Sequence, residues 1–222
     1  SECRWDGQFS LNCSFTRIST IPEDISQTAV TADLSYNNIK TFVCSGGRNE
    51  EWMLKHLNLS NNLLSELTLT TCTNLPILET LNLNGNAIHT LTLDMPTPAH
   101  GSKKYSIVGH LLPALKVLSV ERNNLNTVPR GLGLLLSLQT LHMSSNAIQE
   151  IDPKDFRNCS QLKDIELRNN RITKIHPDAF RDLNKLQVVV DLRENALTIP
   201  LPQMLVSLNF FQLEVHLSKN AW

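Results

Sequence analysis

The chain has 222 residues, 20 of them basic and 21 acidic, for a net charge of −1, a field too small to recruit nucleic acid or an anionic membrane surface. Aromatics at 5%, with 8 Gly and 10 Pro, exclude collagenous and low-complexity chains, and 41% hydrophobic against 18% charged residues excludes wholesale disorder. The longest apolar run, around Leu132–Leu138, is far short of the ~20 residues of a membrane-spanning helix.

The chain begins at Ser1 without an initiator Met, which fits a trimmed mature chain or an excised segment. Cys3 and Cys13 come first, followed by spaced apolar residues at Ile18, Ile21 and Ile25. A repeating pattern then sets in, beginning with a degenerate copy centred on Leu34 and Asn37 that has Ala29 and Ala32 where later copies have Leu. The full form, Leu-x-x-Leu-x-Leu-x-x-Asn-x-Leu, appears at Leu54, Leu57, Leu59, Asn62 and Leu64, and again at Leu78, Leu81, Leu83, Asn86 and Ile88. An irregular stretch, residues 94–110, interrupts the array. The pattern resumes at Leu115, Leu118, Val120, Asn123 and Leu125, and recurs around Asn146 and Asn170. Degenerate copies centre on Leu192 with Asn195 and on Leu217 with Asn220; in these Leu186 and Phe211 sit one residue early, which predicts a local bulge.

The framing residues Asn37, Asn62, Asn86, Asn123, Asn146, Asn170, Asn195 and Asn220 stand 25, 24, 37, 23, 24, 25 and 25 residues apart. This self-similarity accounts for the 37 Leu and 22 Asn of the chain, an odd pairing because Asn disfavours helix and strand interiors. Each Leu-x-Leu is a short strand that turns its apolar side chains inward while the x positions face solvent. One repeat cannot bury that face alone, so neighbours stack on a shared core. An inward Asn at the strand end can both donate and accept, satisfying turn backbone that would otherwise be buried unpaired. The second half of each repeat returns along the other side: Ile172, Ile175, Pro177, Phe180 and Leu183 repeat the spacing of Ile148, Ile151, Pro153, Phe156 and Cys159.

A 24-residue period with Phe in the return arm resembles the typical extracellular subclass of leucine-rich repeat proteins, over nearly the whole chain. The fold expected is an α/β solenoid of about eight repeats: a horseshoe with a parallel concave β-sheet and an irregular or short-helical convex side. By resemblance, residues 1–28 form an N-terminal cysteine cap in which Cys3 pairs with Cys13, and residues 29–222 form the repeats. Asn220-Ala221-Trp222 resembles the lead into a C-terminal cysteine cap, so the native protein is expected to continue past Trp222. The stretches Ser1-Glu2-Cys3, Asn12 to Thr16, Ile25 to Ala29, Glu51-Trp52 and Lys55-His56-Leu57 are similar to the ectodomain of a membrane-anchored member. That implies a cell-surface protein held in the membrane by sequence outside this chain, with a secreted matrix-type protein as the alternative.

Five cysteines leave at least one unpaired within the chain. Cys72 occupies the slot of Phe156 and Phe180, and Cys159 that of Leu183, so both read most simply as buried small hydrophobes. Neighbouring strands lie ~4.8 Å apart, which puts Cys44 within reach of Cys72 on the adjacent coil but leaves that pair open, because return arms diverge more. The cysteine spacings of 10, 31, 28 and 87 match no zinc module. Asn12, Asn58 and Asn158 each begin an Asn-x-Ser sequon. Asn58 lies between Leu57 and Leu59, where a glycan would cover the N-terminal half of the concave face.

Catalytic signatures are missing: Gly131-Leu132-Gly133 lacks the context of a dinucleotide loop, and no nucleophile elbow or His-Glu-x-x-His occurs. His142 and His216 share one column but stand three repeats apart, roughly 14 Å, too far for a common metal or a proton relay. The expectation is a binding module with no cofactor and no metal. The predicted concave column runs Asp33, Asn58, Asn82, Ser119, His142, Glu166, Asp191 and His216, flanked by Glu121, Arg122, Lys163, Asp164, Arg168, Arg193 and Glu194. Its C-terminal half, densely charged with both signs, suits a protein ligand or co-receptor through charge complementarity. That half lacks Trp and Phe anchors, which leaves open a solvated surface or a structural, self-associating role. The stretch 94–110, with Lys103, Lys104 and Tyr105, is the second candidate contact region.

Overall fold

The computed structural model describes residues 3–26, 28–44, 51–94, 111–185, 187–198 and 213–222. Its strands are β1 (Arg4–Trp5), β2 (Ser10–Asn12), β3 (Thr31–Asp33), β4 (His56–Asn58), β5 (Glu66–Thr68), β6 (Thr80–Asn82) and β7 (Thr90–Thr92). They continue as β8 (Val117–Ser119), β9 (Thr140–His142), β10 (Glu150–Ile151), β11 (Asp164–Glu166), β12 (Lys174–Ile175), β13 (Val188–Asp191) and β14 (Leu213–His216). One ten-stranded sheet runs β1-β2-β3-β4-β6-β8-β9-β11-β13-β14, and β5–β7 and β10–β12 make two small ladders on the return side. Every neighbouring pair is parallel except β1–β2, an antiparallel hairpin at the first edge, where Cys3 is bonded to Cys13.

The eight strands from β3 onward that belong to this sheet are joined by about seven turns of a solenoid. Each three-residue strand buries its central residue, and its flanking residues are half-exposed in strands such as Thr80-Leu81-Asn82 and Asp164-Ile165-Glu166. The inward residues merge into one continuous hydrophobic core running from Leu11 to Leu197. Ala29 and Ala32 of the weak first copy are buried within it.

The framing asparagines tie each coil to the one before. Nδ2 of Asn146 donates to the carbonyl oxygens of Met143 and Ser144 in its own coil and of Val120 in the preceding coil, at 3.0, 3.4 and 3.0 Å. Its Oδ1 accepts the backbone N–H of Leu125, also in the preceding coil, at 3.0 Å. The same exchange recurs at every rung: Ile39, Leu64, Ile88, Ile148, Ile172 and Leu197 donate to Asn62, Asn86, Asn123, Asn170, Asn195 and Asn220. Asn37 starts the ladder by accepting from Thr16 and Ile18 and donating to Cys13, next to the hairpin. The residue before each Asn is left-handed, with φ of 57° at Tyr36, 52° at Arg122 and 60° at Ser145. Its N–H bonds the following coil, as Arg122 does to the Ser144 carbonyl. Only one of these eight turn residues is a glycine, Gly85 (φ 69°), and there an added Cβ would run into the Asn61 side chain.

The convex side is irregular with short helical turns, as expected: the described residues contain only 3-10 turns, at Glu23–Ser26 and Leu132–Leu134, so the solenoid is built on its parallel sheet with almost no helix. The return segments satisfy their backbones with turns and with the β5–β7 and β10–β12 ladders instead. Cys72 is not a free hydrophobe, since it is bonded to Cys44 across adjacent coils, whose Cα atoms lie 4.8 Å apart. The bulge is expected at Leu186 and Phe211, just before β13 and β14, which pair residue for residue from Val188 with Leu213 to Asp191 with His216. Leu186 and Phe211 themselves lie outside the described residues.

The remaining thiol, Cys159, is buried as expected, and burial pushes its pKa up to about 12. Nearby, the Phe156 and Phe180 rings meet at 5.8 Å between centroids. The 37-residue interval between Asn86 and Asn123 leaves the sheet undisturbed: β6 pairs directly with β8, and the Asn123 rung is intact.

Asn146→Ala is expected to cost about 1–3 kcal/mol, because the Leu125 N–H and three carbonyls lose their partner. A denaturant melt beside Gln161→Ala, an exposed position whose backbone is not left-handed, checks this. The control should stay within about 0.5 kcal/mol of the parent.

Candidate functional site

Parallel register aligns the exposed strand positions into columns. Asp33, Asn58, Asn82, Ser119, His142, Glu166, Asp191 and His216 are consecutive register partners from β3 to β14. A second function of this column is local: Oδ1 of Asp33, Asn58, Asn82 and Asp191 each accepts the backbone N–H two residues on, closing the turn after the strand. Glu121, Arg168 and Arg193 stand two residues past their strands' ends, while Arg122 occupies an exposed left-handed turn position at the sheet's rim.

The charged half is largely paired within itself. Arg168 makes a two-pronged contact across coils to Glu194, at 3.0 and 3.1 Å, and Lys219 approaches the same carboxylate at 3.6 Å. Arg193 grips Asp191 the same way, at 3.0 and 2.8 Å. Beyond them, Nε2 of His216 lies 2.9 Å from Glu214. The hydrogen bond and charge of Arg168 hold the Glu194 carboxyl below its ordinary range. Burial pushes Asp191 upward, but bonding to Arg193 outweighs it and leaves the group lowered.

Glu166 behaves oppositely. Burial raises its carboxyl pKa, His142 offsets part of that, and Asp164 and Glu121 add to it. The imidazole Nδ1 of His142 stands 3.6 Å from Glu121 and 3.6 Å from Glu166, beyond ordinary hydrogen-bond distance. This grouping was invisible to a comparison of histidines along one column. Glu121 reaches His142 diagonally, from the rim of one coil to the strand of the next, and such diagonal neighbours are the signal that finds it.

The other sequence-derived candidates are dispersed. Asn12 is part-buried beside β1, with Oδ1 accepting from the Ser14 N–H and hydroxyl. Asn58 is half-exposed in the concave column, and Asn158 is exposed on the return side, where its N–H donates to Asp182. Lys103, Lys104 and Tyr105 lie outside the described residues. Sequence reasoning missed an aromatic cluster at the N-terminal end: Phe15 and Tyr36, 72% and 51% exposed, stack face to face at 4.4 Å, each on a left-handed turn. Phe9 and Trp5 are exposed in the same region of the chain. No helix among the described residues is long and apolar enough to cross a membrane.

Comparisons with known proteins follow the repeat. Family models described as leucine rich repeat match residues 137–197 and 160–216, and a second such model matches residues 53–75. The chain is 47% identical over its whole length to Leucine-rich repeat-containing protein 66 of Homo sapiens, 25% of which it spans. It is 27% identical over 72% of its length to the Oligodendrocyte-myelin glycoprotein of Homo sapiens, covering 32% of that protein. The crystal structure of a TLR13–ssRNA13 complex superposes on 78% of this chain with a TM-score of 0.64 and 28% identity, through 23% of its own chain. The chain thus corresponds to between 13% and 25% of the leucine-rich repeat-containing protein 66 relatives it matches.

Because Asp191 and Glu194 have depressed pKa values, the stability their pairs supply is present above the unfolded-state values and is lost as pH falls through the folded ones. A carbon-13 NMR titration of the carboxylates should place both below exposed reference carboxylates. Arg168→Gln should lift Glu194 alone; a joint shift of both would contradict separate pairing.

Proposed function

The chain belongs to the leucine-rich repeat family, and we propose that it is the protein-binding ectodomain portion of a cell-surface protein, contacting its ligand or co-receptor through the C-terminal half of the concave face. The observation that carries this reading is the fixed register from β9 to β14, which presents His142, Glu166, Asp191 and His216 as one column, flanked by Glu121, Arg168 and Arg193, with Arg122 at the rim. Paired charges on a rigid sheet select partners by complementary potential and penalise the wrong ones. Two disulfides fit an oxidising, extracellular compartment. In this reading residues 1–28 serve as the N-terminal cap, membrane attachment comes through sequence outside this chain, and Asn12, Asn58 and Asn158 carry glycans. The glycan on Asn58 directs the partner to the C-terminal half. TLR13 was crystallised with ssRNA13, but the net charge of −1 here argues for protein rather than RNA. No enzymatic role is proposed.

A second reading, a structural or self-associating ectodomain, is favoured by the exposed Phe15–Tyr36 stack, since aromatic surface of this kind anchors protein contacts.

The test is a binding screen of the chain against purified cell-surface ectodomains, with a Glu166→Arg/Arg168→Glu/Arg193→Glu variant beside it. The expected result is a partner whose affinity falls about tenfold or more in the triple variant. Undiminished binding, or a dimer in sedimentation that dissociates in Phe15→Ala/Tyr36→Ala, would transfer the function to the second reading.

A further inference from the structure

We propose that Glu121, His142 and Glu166 form a Zn2+ site on the concave face. The three donors come from three consecutive coils, and the backbone that carries two of them is locked: β9 lies between β8 and β11, with Ser119, His142 and Glu166 in one register line. Glu121 follows β8 and closes the group from the diagonal. One atom from each side chain falls within 4.8 Å of the other two.

The spacing is within ion-pair range but too long for hydrogen bonds, and it is close to that of a coordination sphere. Nδ1 of His142 is 3.6 Å from Oε1 of Glu121 and 3.6 Å from Oε2 of Glu166, whereas hydrogen-bonded pairs close to about 2.7–3.2 Å. Ligands at about 2.0–2.1 Å around a tetrahedral Zn2+ stand about 3.3–3.4 Å from one another, so the two His142 distances need an adjustment of a few tenths of an ångström, and the two carboxylates, within 4.8 Å of each other, are left to close on the ion. The side chains are 27%, 29% and 34% exposed for Glu121, His142 and Glu166. That is open enough to admit an ion and to leave its fourth position to water.

Charge points the same way. Two carboxylates converge on one imidazole, and the guanidinia of Arg168 and Arg193 are engaged elsewhere, with Glu194 and with Asp191. A divalent cation neutralises the pair. One nitrogen with two oxygens suits zinc, whereas Ca2+ takes six to eight oxygens and Mg2+ an octahedron of oxygens. The site does not depend on a protein partner occupying the face.

The test is calorimetric titration of the tag-free, chelator-stripped chain with ZnCl2 at pH 7.5, with CaCl2 and MgCl2 in parallel. One Zn2+ per chain is expected, with at least tenfold weaker binding in each of Glu121→Gln, Glu166→Gln and His142→Ala. His216→Ala, in the same column but outside the cluster, should bind as the parent does. The two Gln changes are isosteric, and circular dichroism should show all four variants folded like the parent. X-ray absorption of the loaded chain should show a nitrogen and oxygen shell containing one imidazole. No zinc binding, binding unchanged in Glu166→Gln, or loss that is equal in His216→Ala would overturn the site.

Discussion

An inward asparagine side chain, buried or half-buried, in the turn after each strand of the large sheet from β3 to β14 holds the coils together, because it completes hydrogen bonds in two coils at once. Its amide nitrogen serves carbonyls of its own turn and of the preceding one, and its oxygen takes an N–H from the preceding coil, as Asn170 does with Met143, Leu167 and Ile148. Apolar burial supplies most of the driving force for stacking, but it is non-directional and would tolerate slippage. The amide sets the offset between coils. It fixes which residue of one strand lies beside which residue of the next, and so it writes the columns of the exposed face. A left-handed turn residue before each Asn is part of the same device, and it persists with side chains as different as those of Tyr36, Arg122 and Glu194.

Once columns are fixed, the properties of the face follow from which residues become neighbours. Its C-terminal half is less openly charged than its composition suggests, because Arg168 and Arg193 are each gripped by a carboxylate. A partner bound at this face would exchange existing pairs for new ones, which favours selectivity over raw affinity. The cluster of Glu121, His142 and Glu166 is the exception: acidic groups crowd an imidazole without closing on it. At the other end, the Phe15–Tyr36 stack offers apolar surface that the charged half lacks.

The repeat, its period and the outward column were legible in the sequence, since Leu and Asn at fixed spacing have one stable arrangement. So was the burial of Cys159, which follows from its place in the slot of Leu183. The Cys44–Cys72 bond was only partly legible, because spacing along the chain does not report how far return arms diverge. The irregular, short-helical convex side was legible too, since residues 148–159 and 172–183 carry no helical hydrophobic period. The zinc cluster and the aromatic stack were hidden for different reasons. Glu121 reaches His142 diagonally between coils while the sequence was read column by column, and Phe15 and Tyr36 hold equivalent turn positions of adjacent coils, outside the strand columns that were read.

Amide hydrogen exchange tests the role of the asparagine ladder most directly. If the ladder sets the stacking, the amides of Ile39, Leu64, Ile88, Leu125, Ile148, Ile172 and Leu197, which donate to it, should form one slow-exchanging set as protected as the strand amides. Removing the Asn146 side chain should speed exchange at Leu125 and in the coils on either side of it, while leaving Ile39 slow. Exchange at these seven amides as fast as at exposed turns, or a Leu125 amide indifferent to the loss of Asn146, would contradict it.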